Sequence, residues 1–433
     1  MKKSLWAEGT LLPEFPSLKD KIKTDVLIIG GGMCGILCAH FLEEAGVDYV
    51  LAEGKRIGQG ITKNTTAKIT SQHKLIYHSL TEKAGWETAY LYMEANECAV
   101  AKFKELAERI PCDFAEKSAF TYSLTDRRKI EEEVEAVKGL GFSACFEESI
   151  PIPLEIEGAV KFENQAQFHP LKFLAGLAKN KKIYENTFIN DISEHTAKSK
   201  GGEIQAEKVI VATHFPFLNK YGAYFLKLYQ SRSYVLALEN AGEINGMYID
   251  EADTGLSFRN YKNFLLIGGG GHRTGKTGGG FQKVRQKAAE LYPGSREAYA
   301  WAAQDCMSLD GLPYIGKYSR WKQDFYVASG FQKWGMTGAM VSAMVLSDMV
   351  QEKKNPWSGI FSPQRSIWTP QLFINGWEAA ENLLTFSEKR CPHLGCALKW
   401  NSAEHTWDCP CHGSRFEEDG TLIDNPATGD IKL

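Results

Sequence analysis

Long apolar runs are scarce in this chain. The most apolar stretch, Val26 to Leu42, is glycine-rich, contains His40 and fits a strand, a turn and a helix, so no membrane span is expected. The opening Met1 to Gly9 lacks the apolar segment that a secretory signal needs. A surplus of either charge is missing too: 50 Lys and Arg stand against 53 Asp and Glu, a net charge of -3. That balance offers no electrostatic basis for binding nucleic acid or an anionic membrane. Short charge runs such as Glu131 to Glu133 read as solvated helix faces. Internal repeats and low-complexity tracts are absent. Over most of the chain, paired cysteine spacing is absent as well. Cys34, Cys38, Cys98, Cys112, Cys145 and Cys306 are scattered through apolar or helical stretches, as reduced thiols of a cytoplasmic protein would be. What remains, at 433 residues with 43% hydrophobic and 24% charged, is an ordinary globular composition for two or three domains.

Against that background the C-terminus stands out. Cys391-Pro-His393-Leu-Gly-Cys396 and Cys409-Pro-Cys411-His412-Gly-Ser414 form two loops, each offering one thiolate and one imidazole. Common zinc fingers pair Cys in one arm and His in the other, whereas here each arm mixes the two. This is the ligand set of a Rieske 2Fe-2S cluster, in which two Cys hold one iron and two neutral His the other, raising the reduction potential. The segment resembles high-potential Rieske proteins such as those of cytochrome bc complexes. The resemblance implies Cys391, His393, Cys409 and His412 as metal ligands and a disulfide between Cys396 and Cys411, which occupy matching places in the loops. It also implies that the Ser414 hydroxyl bonds a bridging sulfide. The family's tyrosine two residues later is Phe416 here, which removes a donor and predicts a lower potential. Structural zinc on the same residues is the non-redox alternative.

A second motif opens the chain. Thr24 to Ile29 reads as a strand, Met33 to Ala45 as a helix and Asp48 to Ala52 as a second strand, with Gly30-Gly31-Gly32-Met33-Cys34-Gly35 at the first turn. Gly30, Gly32 and Gly35 fit the dinucleotide fingerprint, and Glu53 stands where an acid bonds the adenosine ribose. Diphosphate would sit on the N-terminus of the helix. Further segments resemble FAD-dependent oxidoreductases of the D-amino-acid oxidase and glycine oxidase type. They are Gly58 to Lys68, Glu185 to Ile189, Val209 to His214, and Ala328 to Gly338 preceded by Asp310 to Gly316. The resemblance implies FAD contacts at Arg56, Thr66, Ala67, Ile189, Thr213, Gly335, Met336 and Thr337. A helix beginning at Met336 would aim its amides at the flavin and stabilise the charge of the reduced ring. No second dinucleotide fingerprint follows: in Leu265 to Arg273, Arg273 replaces the third glycine, which argues against direct NAD(P)H oxidation.

These segments divide the chain into an α/β arrangement. A Rossmann-like FAD-binding domain takes 1–75, 160–215 and 305–350, interleaved with a mixed α+β substrate domain of 76–159 and 216–304. A Pro-rich linker, 351–386, with aromatics at Trp357, Phe361, Trp368 and Phe373, is expected to lie on the flavin domain. A small β-rich Rieske subdomain, 387–433, closes the chain without the base strands of a full domain. So small a piece should depend on its cluster and on packing against the flavoprotein. Helices are expected over Glu87 to Ile110 and Asp126 to Gly139, and strands over Ser233 to Glu239, Met247 to Asp250 and Phe264 to Ile267.

The reading that follows is an FAD-dependent oxidoreductase that takes hydride from a small amine-like or amino-acid-like substrate. Its Rieske cluster would exchange single electrons with an external donor or acceptor protein. Lys68, Arg259 and His272 are the candidate catalytic side chains: Arg259 matches a region from which members of the resembled family reach a substrate carboxylate, with an exposed strand arginine as the alternative, and Lys68, His272 and nearby His73 would act as acid, base or anion clamp. The rival is an electron-transfer flavoprotein module with no organic substrate. A Rieske oxygenase is disfavoured because the other eight histidines lack the spacing of a mononuclear iron site.

Overall fold

The computed structural model describes residues 4–431. Its first sheet grows from the βαβ unit. The strand Lys21–Ile29 pairs in parallel with Tyr49–Ala52 on one side and with Glu203–Val211 on the other. Lys322–Ser329 adds in parallel beyond Glu203–Val211, and Tyr314–Ser319 closes that edge antiparallel. Val26 to Ile29 and Val209 to Val211 are buried throughout, as expected of parallel strands covered on both faces. The fingerprint helix Met33–Glu44 and the later helix Gly335–Val350 pack together on one face.

A nine-stranded, mostly antiparallel sheet forms the second layer system. Expected helices appear as Trp86–Ala107 and Arg127–Gly139, the latter capped by Asp126, whose side chain accepts from the Lys129 amide. The strand Met247–Asp250 falls where expected, but two others run longer, as Leu228–Glu239 and Phe264–Arg273. Gly268 and Gly269 therefore stay in the ladder, and Gly270 and Gly271 form a bulge opposite Arg232 to Tyr234 instead of a turn. The strands Lys68–Ile69, Gly158–Gln167 and Arg296–Ser308 also belong to this sheet, so it reaches into stretches assigned from sequence to the flavin domain.

The C-terminal appendage carries a four-stranded sheet, Lys399–Asn401, Thr406–Asp408, Arg415–Phe416 and Leu422–Asp424, around its own small core of Leu398, Phe416, Ala427 and the buried cysteines. Only half of the Pro-rich stretch behaves as a linker on the flavin domain. There Trp357 donates to Glu94 at 2.8 Å, the Phe361 carbonyl accepts from Ile315, and Arg365 pairs with Asp310. Beyond it Pro370–Leu384 is helical, with Pro370 at the first turn where its missing N–H costs nothing. Trp368 and Phe373 are exposed instead of packed. No helix among the described residues is long and apolar enough to cross a membrane.

Candidate flavin and cluster sites

The fingerprint turn is built by steric necessity. Gly30 has φ 112°, and a Cβ there would lie 2.6 Å from the Ala212 carbonyl oxygen. A Cβ on Gly35 would fall 1.9 Å from the Gly30 oxygen, so only glycine lets helix and turn close. Gly32, by contrast, faces open space with only Thr62 Oγ1 at 3.4 Å, which leaves room for a diphosphate at the helix N-terminus. Gly32 supplies no capping side chain of its own, and of the first amides Met33 N–H is taken by the Thr62 hydroxyl at 3.1 Å. Glu53 accepts from the Gly31 amide at 2.6 Å and the Lys55 amide at 2.8 Å, and burial raises its pKa. This cradle of amides and one half-buried acid fits the adenosine diphosphate half of FAD.

The remaining expected contacts are held in place by partners from several segments. Arg56 is held by Glu185 at 3.2 Å and Glu14 at 3.0 Å, and Glu185 also accepts from the Ile57 amide. Ile189 is buried beside the first sheet. Thr66 and Ala67 each give a carbonyl oxygen to Arg259 Nη1 at 2.7 Å. Arg259 thus braces the loop from below, and a cavity above it is lined instead by Thr65, Thr66, Lys68, Asp250, Asp305, Lys333 and Met336. The helix expected from Met336 begins at Gly335, again without a side-chain cap, and opens into this cavity.

Charge in the cavity is set by desolvation. Burial, with the Arg259 cation second, lowers Lys68 to about 7, so that much of it is the neutral amine near neutral pH. Burial raises Asp305 to about 6 against the opposing pull of Lys333 and Arg232. Two other candidates lie outside the lining. His73 is buried, stacks on Trp334 with ring centroids 4.6 Å apart, and meets Tyr92 Oη at 2.6 Å and Thr337 Oγ1 at 3.1 Å. It steadies the start of the helix Gly335–Val350. His272 stacks on Tyr234, and burial lowers its pKa.

At the appendage the two loops repeat one geometry. Gly395 donates to Cys391 and Gly413 to Cys409, each at 2.9 Å, with φ 80° and 81°. Cys396 and Cys411 form the disulfide between them. His393 and His412 bring their Nδ1 atoms to 3.3 Å, with rings nearly perpendicular. Two imidazoles sharing one tetrahedral metal at bonds of about 2.0–2.1 Å would stand about 3.3–3.4 Å apart. Both are kept neutral by burial, His393 at about 4 and His412 at about 3, as metal ligands must be. A hydrogen bond with Cys409 lowers the Cys391 thiol to about 7, and Cys409 moves up correspondingly. The donor atoms of Cys396, Cys409, Cys411 and His412 also lie within 4.8 Å of one another, but two of those sulfurs are spent on the disulfide. The set with free donors, Cys391, His393, Cys409 and His412, fits a 2Fe-2S cluster.

The histidine edge of this site faces the body of the protein. His393 Nε2 meets Asn219 Oδ1 at 2.9 Å, and Phe215 turns its ring edge-on to both histidines at 6.3 and 6.2 Å. Asn425 donates to the carbonyls of Thr213 and Phe215 at 2.6 and 2.7 Å. From the second sheet, Gln230 donates to the His412 carbonyl, Gln304 to Gly413, and Arg273 to Pro410 and Cys411. A buried ion network lies below, where Arg232 Nε pairs with Glu404 at 3.1 Å. Arg415 joins Glu404 at 2.9 Å and Asp408 at 3.1 Å. None of Asn219, Gln230, Arg232, Gln304 or Glu404 was indicated by sequence, for each is defined by a partner far along the chain.

Comparison with known proteins assigns each part of the chain to a family. The FAD dependent oxidoreductase family matches residues 25–349, and the Rieske 2Fe-2S domain family matches 369–433. The putative Rieske 2Fe-2S iron-sulfur protein YhfW of Bacillus subtilis (strain 168) is 35% identical over 491 aligned residues, covering 99% of this chain and 96% of that protein. The cytochrome b6-f complex iron-sulfur subunit of Nostoc punctiforme is 51% identical over 43 residues, 10% of this chain and 24% of that protein. Among solved structures, glycine oxidase from Geobacillus kaustophilus superposes with a TM-score of 0.68 at 20% identity, covering 80% of this chain and 99% of that one.

Proposed function

This chain belongs to the FAD dependent oxidoreductase family and carries a C-terminal Rieske domain, and we propose that it couples oxidation of an amine or amino-acid-like substrate to single-electron exchange with an external protein. It is an enzyme with two cofactors, FAD in the first domain and a 2Fe-2S cluster in the appendage. When bound, FAD supplies a two-electron acceptor and the cluster a one-electron relay.

The observation that carries this reading is the docking of the histidine edge on the loop Thr213 to Phe225. That loop continues the parallel strand Glu203–Val211, so one short segment borders both the expected adenosine site and the cluster ligands. Substrate chemistry is assigned to the cavity. Lys68, as a neutral amine, accepts the proton that a substrate ammonium must lose before its C–H bond is oxidised. Asp305 and Lys333 orient the polar ends of the molecule, and Met336 with the open helix end supports the flavin edge. The name of the structural neighbour, glycine oxidase, supports a C–N substrate.

Anaerobic titration of the holoprotein with amines and amino acids, following flavin absorbance and the Rieske EPR signal together, tests the reading. One productive substrate should bleach the flavin and develop the EPR signal in the same titration. Reduction of both centres by dithionite but by no amine or amino acid would instead establish an electron-transfer module. Iron-free protein with stoichiometric zinc would end the redox account of the appendage.

A further inference from the structure

The helix Pro370–Leu384 is built inside out. Its two asparagines face the protein: Asn375, 4% exposed, donates to the Leu226 carbonyl and accepts from Arg273 Nη1 at 2.9 Å. Asn382, 2% exposed, donates to the Glu378 carbonyl, and its own carbonyl accepts from the Ala397 amide. Its apolar residues face outward, with Phe373 67%, Trp377 74% and Leu384 86% exposed. Ala380 is exposed between them. An amphipathic helix ordinarily turns the other way, so this orientation leaves an apolar face for something outside the subunit.

The spacing of that face says what covers it. Phe373, Trp377, Ala380 and Leu384 follow one another at intervals of four, three and four residues, the narrow seam by which one helix meets another. Nine of the fourteen exposed large apolar residues among those described fall between Trp368 and Trp400, so the exposure is concentrated and not a general property of the surface. Trp368, Phe373, Ile374, Trp377, Leu384 and Phe386 together present roughly 600–1,000 Å² of apolar surface, above the patch of a typical monomer and close to one side of a standard interface, about 800 Å². The seam itself bears no charge. Glu378 and Glu381, at its border, are engaged by Lys276 at 2.7 and 3.9 Å. A partner recruited by opposite charge would need charges to meet, whereas an uncharged apolar seam is self-complementary.

We propose that this face is the interface between two copies of the chain, with Pro370–Leu384 of one subunit lying against the same helix of its partner across a two-fold axis. The helix also braces the cluster loops, since Arg273 bonds both Asn375 and the Cys411 carbonyl, and the Glu378 carbonyl lies 3.9 Å from Cys411 Sγ. Dimerisation through it would set the two appendages, and hence the two cluster sites, beside each other.

Sedimentation velocity of the holoprotein should show a species of twice 48.3 kDa at micromolar concentration. Trp377→Glu should weaken the dimer by about 30-fold or more, the cost of losing a central aromatic anchor, with the Rieske EPR signal unchanged as evidence of intact folding. Ala380→Cys should give an intersubunit disulfide on mild oxidation that the unsubstituted protein, with its exposed Cys98 and Cys145, does not form. A holoprotein that is monomeric at these concentrations, or a dimer indifferent to Trp377→Glu and not linked through Ala380→Cys, overturns the proposal. Flotation of a monomer with uncharged phosphatidylcholine vesicles, lost in Trp377→Glu, would assign the face to lipid and overturn it equally.

Discussion

Asn219 Oδ1 accepts from Nε2 of His393 at 2.9 Å across the boundary between the body of the protein and the appendage. An amide oxygen can only accept, so this contact fixes the proton on Nε2 and leaves the Nδ1 lone pair free to bind metal. Asn219→Leu removes that orientation without adding charge. Chelator-driven iron release from the holoprotein should then speed up by about 10-fold or more, the usual cost of losing a partner of a metal-bound histidine. Asn219→Asp, which keeps an acceptor, should restore slow release.

Arg232, Glu404 and Arg415 form a buried ion network whose members cannot be removed singly without exposing the rest. Glu404→Leu leaves two guanidinium groups without their shared partner and should cost about 3–5 kcal/mol of stability. The loss should register as appendage unfolding at lower urea, followed by cluster absorbance, while flavin fluorescence changes later. Replacing Arg232 and Glu404 together by apolar residues should cost less than the sum of the single changes.

Lys68 sets a pH dependence. Its folded pKa of about 7 lies below the ordinary 10.5, so the unfolded chain binds the proton more tightly and the lysine's contribution to stability rises with pH from about 7 toward 10.5. In catalysis the neutral amine is the competent form. Substrate oxidation should therefore increase with pH through an apparent pKa near 7. Lys68→Met should abolish that limb in stopped-flow flavin reduction and should be more stable than the parent at pH 7.

The buried histidines predict acid sensitivity. Burial holds His73 at about 3 and His169 at about 4, below the ordinary 6.5, so the unfolded state takes up protons that the folded state refuses between those values. The histidines' contribution to stability should be unchanged above about pH 6.5 and fall as the pH drops below it. Each histidine should remove up to about 1.4 kcal/mol for every tenfold rise in proton concentration, until its own folded pKa is reached. Urea titrations at pH 7.5 and 5 measure the difference, and His73→Asn should reduce it.

Gly35→Ala tests the flavin cradle. Its Cβ would overlap the Gly30 oxygen at 1.9 Å and push the helix from the turn. The purified variant should carry no FAD while its appendage retains the Rieske EPR signal.

Much of this molecule was legible because its chemistry is local in sequence. The glycines of the fingerprint turn and the Cys and His of the two loops lie within a few residues of the groups they serve, and the parallel strands announce themselves by unbroken apolar runs. Residues defined by long-range partners were not legible: Asn219 acquires meaning only opposite His393, Gln230 opposite His412, Arg232 opposite Glu404. Arg259 reads from sequence as a substrate clamp, yet its guanidinium holds the carbonyls of Thr66 and Ala67, because the adjacent sheet turns it inward beneath the loop. The helix Pro370–Leu384 was hidden by its flanking prolines and by an apolar stripe that points away from the core.

The order of strands in the first sheet carries a consequence for biosynthesis. Lys21–Ile29 must wait for Glu203–Val211, which in turn waits for Lys322–Ser329, so the flavin domain cannot close until about three-quarters of the chain has left the ribosome. The residues that remain need only about 5–20 s to be translated. Because the appendage docks on Asn219, Gln230 and Gln304, its landing surface is already synthesised when it emerges, so its docking need not wait on any later segment of those strands.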